Sequence, residues 1–398
     1  MEIGWVDFSK DDRNKVLNVL DLLGEKGVLD ELGIGSIRDA YSDLFFPGTS
    51  TVQTRAKYFL IVPYALKDLD YVNSDKYGKL LNDFHEKEKR CANIFYDNNP
   101  EEKGIIGKTK IHSGKWVQRA PSNVYLAGMS KYKILNYNFS INHIIKRIAI
   151  QKQEKRDIIS LGNANDKNES IADDKDAGVN QFFRFLNIPT YRKDWLDNLE
   201  MNLTYDESQF LKNQIISTCS DSMLAFILEN DFREVLEFDS FKDLKSIEFP
   251  TKIQEDYNNA LAFSEFVYAL RIIYNLKASN HKNKKANILF EDIKDNLDSI
   301  SNIDVNKIMY RLNINNSPLN SFLNDAKQLM REGDIEEIEN LLMRREINLK
   351  SKARSKLFNP EKNDIDEWHV GERLDYRFGI AKTILSDIFE SEGGDLNV

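Results

Sequence analysis

The chain is poor in cysteine, proline, glycine and histidine, and each shortage removes a class of protein. Its two cysteines, Cys91 and Cys219, stand far apart with no second Cys or His at ligand spacing, so neither a disulfide framework nor a zinc site is expected. Eight prolines and 18 glycines in 398 residues leave long amphipathic stretches uninterrupted. With apolar spacings of three and four, that points to helices. None of the five histidines (His85, His112, His143, His281, His369) shares a helix face with another. An H-x-K-x-x-x-x-D run that begins at His85 and Lys87 fails at Ala92. The longest apolar run, Tyr58 to Leu66, is broken by Pro63 and is far too short for a bilayer. Met1 to Trp5 has no basic region followed by an apolar one, so no secretory signal is expected and the cytoplasm is the expected compartment.

Catalytic signatures are missing too. There is no phosphate-binding G-x-x-x-x-G-K-[ST], no G-x-G-x-x-G after a strand, no G-x-S-x-G, no H-E-x-x-H and no kinase set. Gly33 and Gly35 read as a turn between helices. Carboxylate pairs such as Asp11/Asp12, Glu86/Glu88 and Glu336/Glu337 read as solvated helix faces. A metal-dependent nuclease would need Asp, Glu and Lys converging on strand ends, and strands are few. No cofactor, metal or small-molecule substrate is therefore expected, and a divergent nuclease is the weakest functional reading.

Apolar residues make up 41% and charged residues 30%, the balance of a globular chain with room for two or three domains or one large helical body. The spacing predicts helices over 52–69, 75–96, 122–135, 141–155, 205–218, 221–228, 253–278, 304–312, 317–331, 335–349 and 379–389. Ser9 with Asp12 and Thr204 with Glu207 sit at capping-box positions. The best strand candidates are Ile3–Asp7 and Lys110–Gln118. The fold class is mainly α: a multi-helix body with a few short strands, in which a winged-helix-like module is a candidate. Ser160 to Asn180 has almost no bulky apolar residues and many turn formers, so it reads as a linker or surface loop. The expected division is a body at 1–158, a polar linker at 159–180 and a second helical body at 181–398. Further polar breaks fall at 280–285 and 359–366.

The net charge of −9 disfavours non-specific adhesion to nucleic acid by the whole molecule. One segment runs against it. From Lys103 through Arg156 there are twelve Lys or Arg and a single acid, Glu154, a local +11 that leaves −20 on the rest. Trp116, Tyr125, Tyr132, Tyr137 and Phe139 are interleaved with it. Phosphate contact with base stacking needs that combination. The candidate nucleic-acid-binding residues are Lys108, Lys110, Lys115, Trp116, Arg119, Tyr125, Lys131, Tyr132, Lys133, Lys146 and Arg147. The alternative is that these cations neutralise an acidic neighbour within the protein or on a protein partner.

A second polar cluster, Thr49, Ser50, Thr51, Gln53 and Arg55, opens the apolar stretch at 52–69. A helix N-terminus with Arg55 beside it is a candidate anion site. Otherwise Arg55 pairs with an internal carboxylate.

Several stretches together resemble the uncharacterised bacterial family catalogued as domain of unknown function 6361. They are Gly4 to Ser9, Asp30 to Gly35, Phe46 to Phe59, Gly104 to Gly107, Gln118 to Ser122 with Tyr125 and Gly128, Ala353 to Pro360, and Leu374 to Arg377, spread over nearly the whole chain. The sequence departs from the family's pattern at Leu126–Ala127 and His369–Val370. The resemblance implies a place among bacterial DNA-processing and phage-defence genes, including helicases, and carries no catalytic residues. With the basic segment, it suggests a non-enzymatic subunit of an anti-phage defence or DNA-processing complex that contacts DNA. The runner-up is an adaptor for a helicase or nuclease partner without DNA contact. Neither reading involves a membrane.

Overall fold

The computed structural model describes residues 30–113, 116–136, 139–165 and 185–393. Among them the protein is mainly α, with fourteen α-helices. The first seven are α1 (Gly35–Phe45), α2 (Tyr58–Asp68), α3 (Tyr77–Asn98), α4 (Pro121–Lys131), α5 (Ile141–Asn165), α6 (Tyr205–Thr218) and α7 (Met223–Glu229). The others are α8 (Thr251–Ala278), α9 (Lys284–Ile293), α10 (Leu297–Ile300), α11 (Val305–Arg311), α12 (Ser317–Glu332), α13 (Ile335–Lys350) and α14 (Phe378–Gly393). No helix among the described residues is long and apolar enough to cross a membrane.

Contacts divide the chain into two compact units: Met1–Asp39 with Asn259–Leu374, and Ala40–Asn258 with Asp375–Val398. Each is discontinuous in sequence, so the units do not follow the single polar break at 159–180, most of which lies outside the described residues. Backbone bonds tie the two flanks of that break together inside the second unit. Asn136 N donates to Phe185 O (2.8 Å) and Asn187 N to Ile134 O (2.9 Å). They make an isolated antiparallel bridge, Leu135 to Leu186, the extent of β-pairing among the described residues. With no ladder there is no wing, and the winged-helix-like module is not formed there. The expected strand at 110–118 begins instead as the 3-10 turn Lys108–Ser113. Ile3–Asp7 and the Ser9/Asp12 cap lie outside the described residues.

In the second unit α2 is the central rod, buried from Tyr58 through Leu66. A helix apolar all round has no solvent face to give, and α3 and α4 pack against it. It starts six residues later than periodicity predicts, because 49–53 spends its polar groups on turns. Thr49 Oγ1 donates to Phe46 O (2.6 Å), Gln53 N to Ser50 O (3.1 Å) and Gln53 Nε2 to Gly48 O (3.0 Å). A cluster of Tyr41, Phe45, Phe46, Phe241, Tyr257 and Tyr376 extends the same core, with ring centroids 4.9–6.3 Å apart. The C-terminal helix α14 packs on α6, where Glu392 pairs with Lys212 (2.9 Å) and Arg233 (2.8 Å). The capping box of α6 is formed as predicted.

The first unit is organised around a buried carboxylate. Glu346 on α13 accepts from Tyr274 Oη (2.6 Å), Ser355 Oγ (2.7 Å) and Leu357 N (3.0 Å), with Lys350 Nζ at 3.3 Å. These donors outweigh the desolvation cost and hold its pKa below the usual value despite burial. Lys350 in turn pairs with Glu31 (2.7 Å), and Arg345 Nε donates to Leu32 O (3.0 Å).

Candidate nucleic-acid interface

The basic segment supplies both core and surface of the second unit. Tyr125 and Tyr132 are fully buried. Tyr125 Oη accepts from Thr54 N (2.7 Å) and Arg55 N (3.0 Å) and donates to Arg55 O (2.8 Å). Tyr132 Oη donates to Pro47 O (2.8 Å). Neither ring can accept a stacked base, so both leave the candidate interface. A buried tyrosine with its hydroxyl satisfied is a packing residue. Trp116 is half-buried, its indole lying against Gly107, and its Nε1 finds no acceptor among the described residues.

The cations divide similarly. Lys108 Nζ donates to Glu102 O (3.1 Å), and Lys152 Nζ to Leu69 O (2.9 Å) and Asp70 O (2.8 Å), with burial lowering the Lys152 pKa. Arg156 pairs with Asp75, and Lys146 lies over the Tyr77 ring at 5.5 Å. Arg119 is exposed, and Lys115 lies outside the described residues. Lys110, Lys131, Lys133, Arg147 and Lys155 are exposed and pair with no carboxylate among the described residues.

What sequence reading missed is a stripe on α5. The helix buries Ile141, Ile144, Ile145 and Ile148, which leaves His143, Lys146, Arg147 and Ile150 on the opposite face at spacings of three and four. Phe139, just before the helix, stacks on His143 with centroids 4.6 Å apart and planes inclined by 20°. Phe139 is 45% exposed and Ile150 50%. The four-residue step between Phe139 and His143 was visible in the sequence. That both rings lie outside the core was not.

The candidate anion site is already filled by the chain itself. Ala56 N, just ahead of α2, donates to Asp387 Oδ2 (2.6 Å), and Arg55 Nε donates to Asp387 Oδ1 (2.8 Å). Arg55 also pairs with Glu102 and donates to Asn202 Oδ1 (2.9 Å). Burial pushes the Asp387 carboxyl up to about 6, against the pull of Arg55 and the Ala56 N–H. Thr49 and Gln53 are buried in the turn, Ser50 Oγ is buried without a partner among the described residues, and Thr51 is exposed. The start of α4 is treated alike. Buried Glu88 accepts from Ser122 N (2.8 Å) and faces His85 Nδ1 (3.1 Å). Helix N-termini here meet internal carboxylates, as the dipole and the orphan N–H groups favour.

The motif stretches at 46–59, 104–107 and 118–128 converge on one hub. Thr54 Oγ1 donates to Gly104 O (2.7 Å) and Ile106 N to Tyr58 Oη (2.9 Å). Gly128 packs directly against the Gly48 carbonyl. Residues 1–147 match the Family of unknown function (DUF6361). The DUF6361 match thus spans the hub and the first turns of α5, including Arg147. It stops short of Ala353 to Pro360 and Leu374 to Arg377, on which the resemblance also drew. No curated protein and no solved structure matches the chain.

Among the described residues no group of three or more His, Cys, Asp or Glu is placed to hold a metal ion. Cys91 is buried, which drives its thiol pKa up and leaves it inert as a nucleophile at neutral pH.

Proposed function

We propose that the protein is a non-enzymatic, cytoplasmic subunit of a bacterial anti-phage defence or DNA-processing complex, and that it contacts nucleic acid through the exposed face of α5 and the turn after α4. The carrying observation is the stripe of Phe139, His143, Lys146 and Arg147. It is exposed and cationic in a chain whose remaining residues are strongly acidic. Lys131 and Lys133 add two more exposed cations. An exposed aromatic ring is the group on which a base stacks, and cations a turn away suit the flanking phosphates.

The test is a gel-shift titration at two salt concentrations, wild type against a variant with Lys131, Lys133, Lys146 and Arg147 all changed to Ala. With about 4–6 phosphates neutralised, log K should fall against log salt with a slope of roughly −3 to −5 on duplex DNA. The quadruple variant should bind more weakly and with a shallower slope. Phe139→Ala should weaken single-strand binding selectively, by about 1–3 kcal/mol. Equal, feeble binding by wild type and quadruple variant would end the nucleic-acid reading. The exposed apolar groups of Phe139 and Ile150 would then favour the second reading, an adaptor surface for a helicase or nuclease.

A further inference from the structure

Helix α9 of the first unit has little of its apolar surface covered. Asn283 caps it, its Oδ1 accepting from Ala286 N (2.9 Å), and Ala286 is the one residue of the helix that is buried. Ile288 is 65% exposed, and Leu289, Phe290 and Ile293 are only half-buried. A helix of 10 residues is marginal in water unless an apolar face is packed against something.

The uncovered face has an ordered charge pattern. Lys284, Lys285, Ile288, Glu291 and Asp292 are all exposed, and their spacings of three and four put them on one side of the helix. Two cations, an isoleucine and two carboxylates follow one another, symmetrically about Ile288. At the helical rise the charges stand about 5–6 Å to either side of it. Lys284 and Asp292 make no ion pair among the described residues. Lys285 pairs with Glu372 (2.6 Å) and Glu291 with Lys294, but these are pairs between exposed side chains, which contribute little and exchange readily.

Turned end for end, this stripe is its own complement. A parallel copy would set like charges against each other. An antiparallel copy sets Ile288 against Ile288, and the two lysines of each protomer against the two carboxylates of the other. Self-complementarity of that kind is what a two-fold, isologous interface requires, and an unrelated partner would have no need of it. We propose that α9 is a dimerisation helix that docks antiparallel on α9 of a second copy of the chain. Two groups beside its first turn widen the apolar contact. Ile365, whose carbonyl accepts from Asn283 Nδ2 (2.8 Å), is 44% exposed, and half-buried Trp368 has Lys285 Nζ 4.3 Å from its ring centre. A helix of this length spans about 15 Å, so the interface is small and the dimer belongs at the weak end of specific association, in the micromolar range. The inference stands independently of the nucleic-acid reading, since none of these residues belongs to α5.

Sedimentation velocity of the full chain across the micromolar range is the test. The wild type should pass reversibly from monomer to dimer, and less readily as salt screens the four charge clusters. Ile288→Glu should raise the dissociation constant about a hundredfold, because two isoleucines leave the centre of the interface and two like charges meet there. Charge reversal tests the antiparallel register. Lys284→Glu with Lys285→Glu makes the stripe wholly acidic, and Glu291→Lys with Asp292→Lys makes it wholly basic. Both changes place charge where the helix dipole favours it, so α9 should persist, which circular dichroism checks. Each double variant alone should be monomeric, and an equimolar mixture of the two should restore the dimer. A wild type that stays monomeric at every concentration overturns the proposal and leaves the stripe to a different protein. A dimer that survives Ile288→Glu and both reversals overturns it as well, by placing the interface elsewhere, and so does a mixture that fails to associate.

Discussion

Two glycine-to-alanine substitutions on helices of the same unit should move stability in opposite directions. In a helix interior alanine is favoured over glycine by about 1 kcal/mol. At Gly78, in the first turn of α3, a methyl group would meet nothing within 4 Å, so Gly78→Ala should realise about half of that gain. At Gly128 on α4 the new carbon would fall well inside contact distance of the Gly48 carbonyl, and 2.7 Å from Phe59 Cε1. A backbone oxygen cannot rotate away. Nor can Gly48 retreat, because the Tyr132 ring covers its other side and donates to Pro47 O. Overpacking of this kind costs about 1–3 kcal/mol, and the absence of a flexible neighbour places Gly128 at the top of that range. Subtracting the propensity gain leaves a net loss of about 2 kcal/mol. For a urea slope of about 3 kcal/mol/M, the midpoint should fall by roughly 0.7 M for Gly128→Ala and rise by roughly 0.2 M for Gly78→Ala. Urea titrations followed by circular dichroism read both. An unchanged or raised midpoint for Gly128→Ala would refute the close approach of α4 to the turn at Gly48.

Two further outcomes follow from the same unit. Asp387 is buried with a carboxyl pKa raised to about 6, above its unfolded value near 4, so its protonated form contributes stability that is full below about pH 4 and lost as pH rises through about 6. The difference in unfolding free energy between wild type and Asp387→Asn should therefore shift against the wild type by about 2.4 kcal/mol between pH 4 and 7, and a flat difference would mean that the group does not titrate there. A protease site inserted between residues 166 and 184 should give two fragments that stay associated through the Leu135–Leu186 bridge and the Lys57–Glu207 pair, and separation of the cut fragments on gel filtration without denaturant would contradict that packing.

Much of this protein is local, and what is local could be read from residue order. The scarcity of Pro and Gly and the three-and-four spacing placed most helices to within a few residues, including α6 with its Thr204–Glu207 capping box and the long α8. They do so because a helix is closed by bonds four residues apart. Helices α1, α9 and α10 were not among those the spacing predicted. The DUF6361 stretches were recognisable as motifs, but their joint purpose was not. Thr54, Gly104 and Tyr125 meet only because the chain brings positions 50 to 71 residues apart together. The basic segment was equally visible, whereas its division into buried Tyr125 and Tyr132 and exposed Phe139 and Arg147 was not. Composition counts charges and rings, and burial depends on which face of α4 or α5 meets the core. Arg55 is the sharpest case. Sequence could name it as a group needing an anion, but the anion is Asp387, 332 residues further on. A long-range pair of that kind leaves no trace in spacing, since loop closure over hundreds of residues is set by the packing of the whole unit and by nothing near either partner.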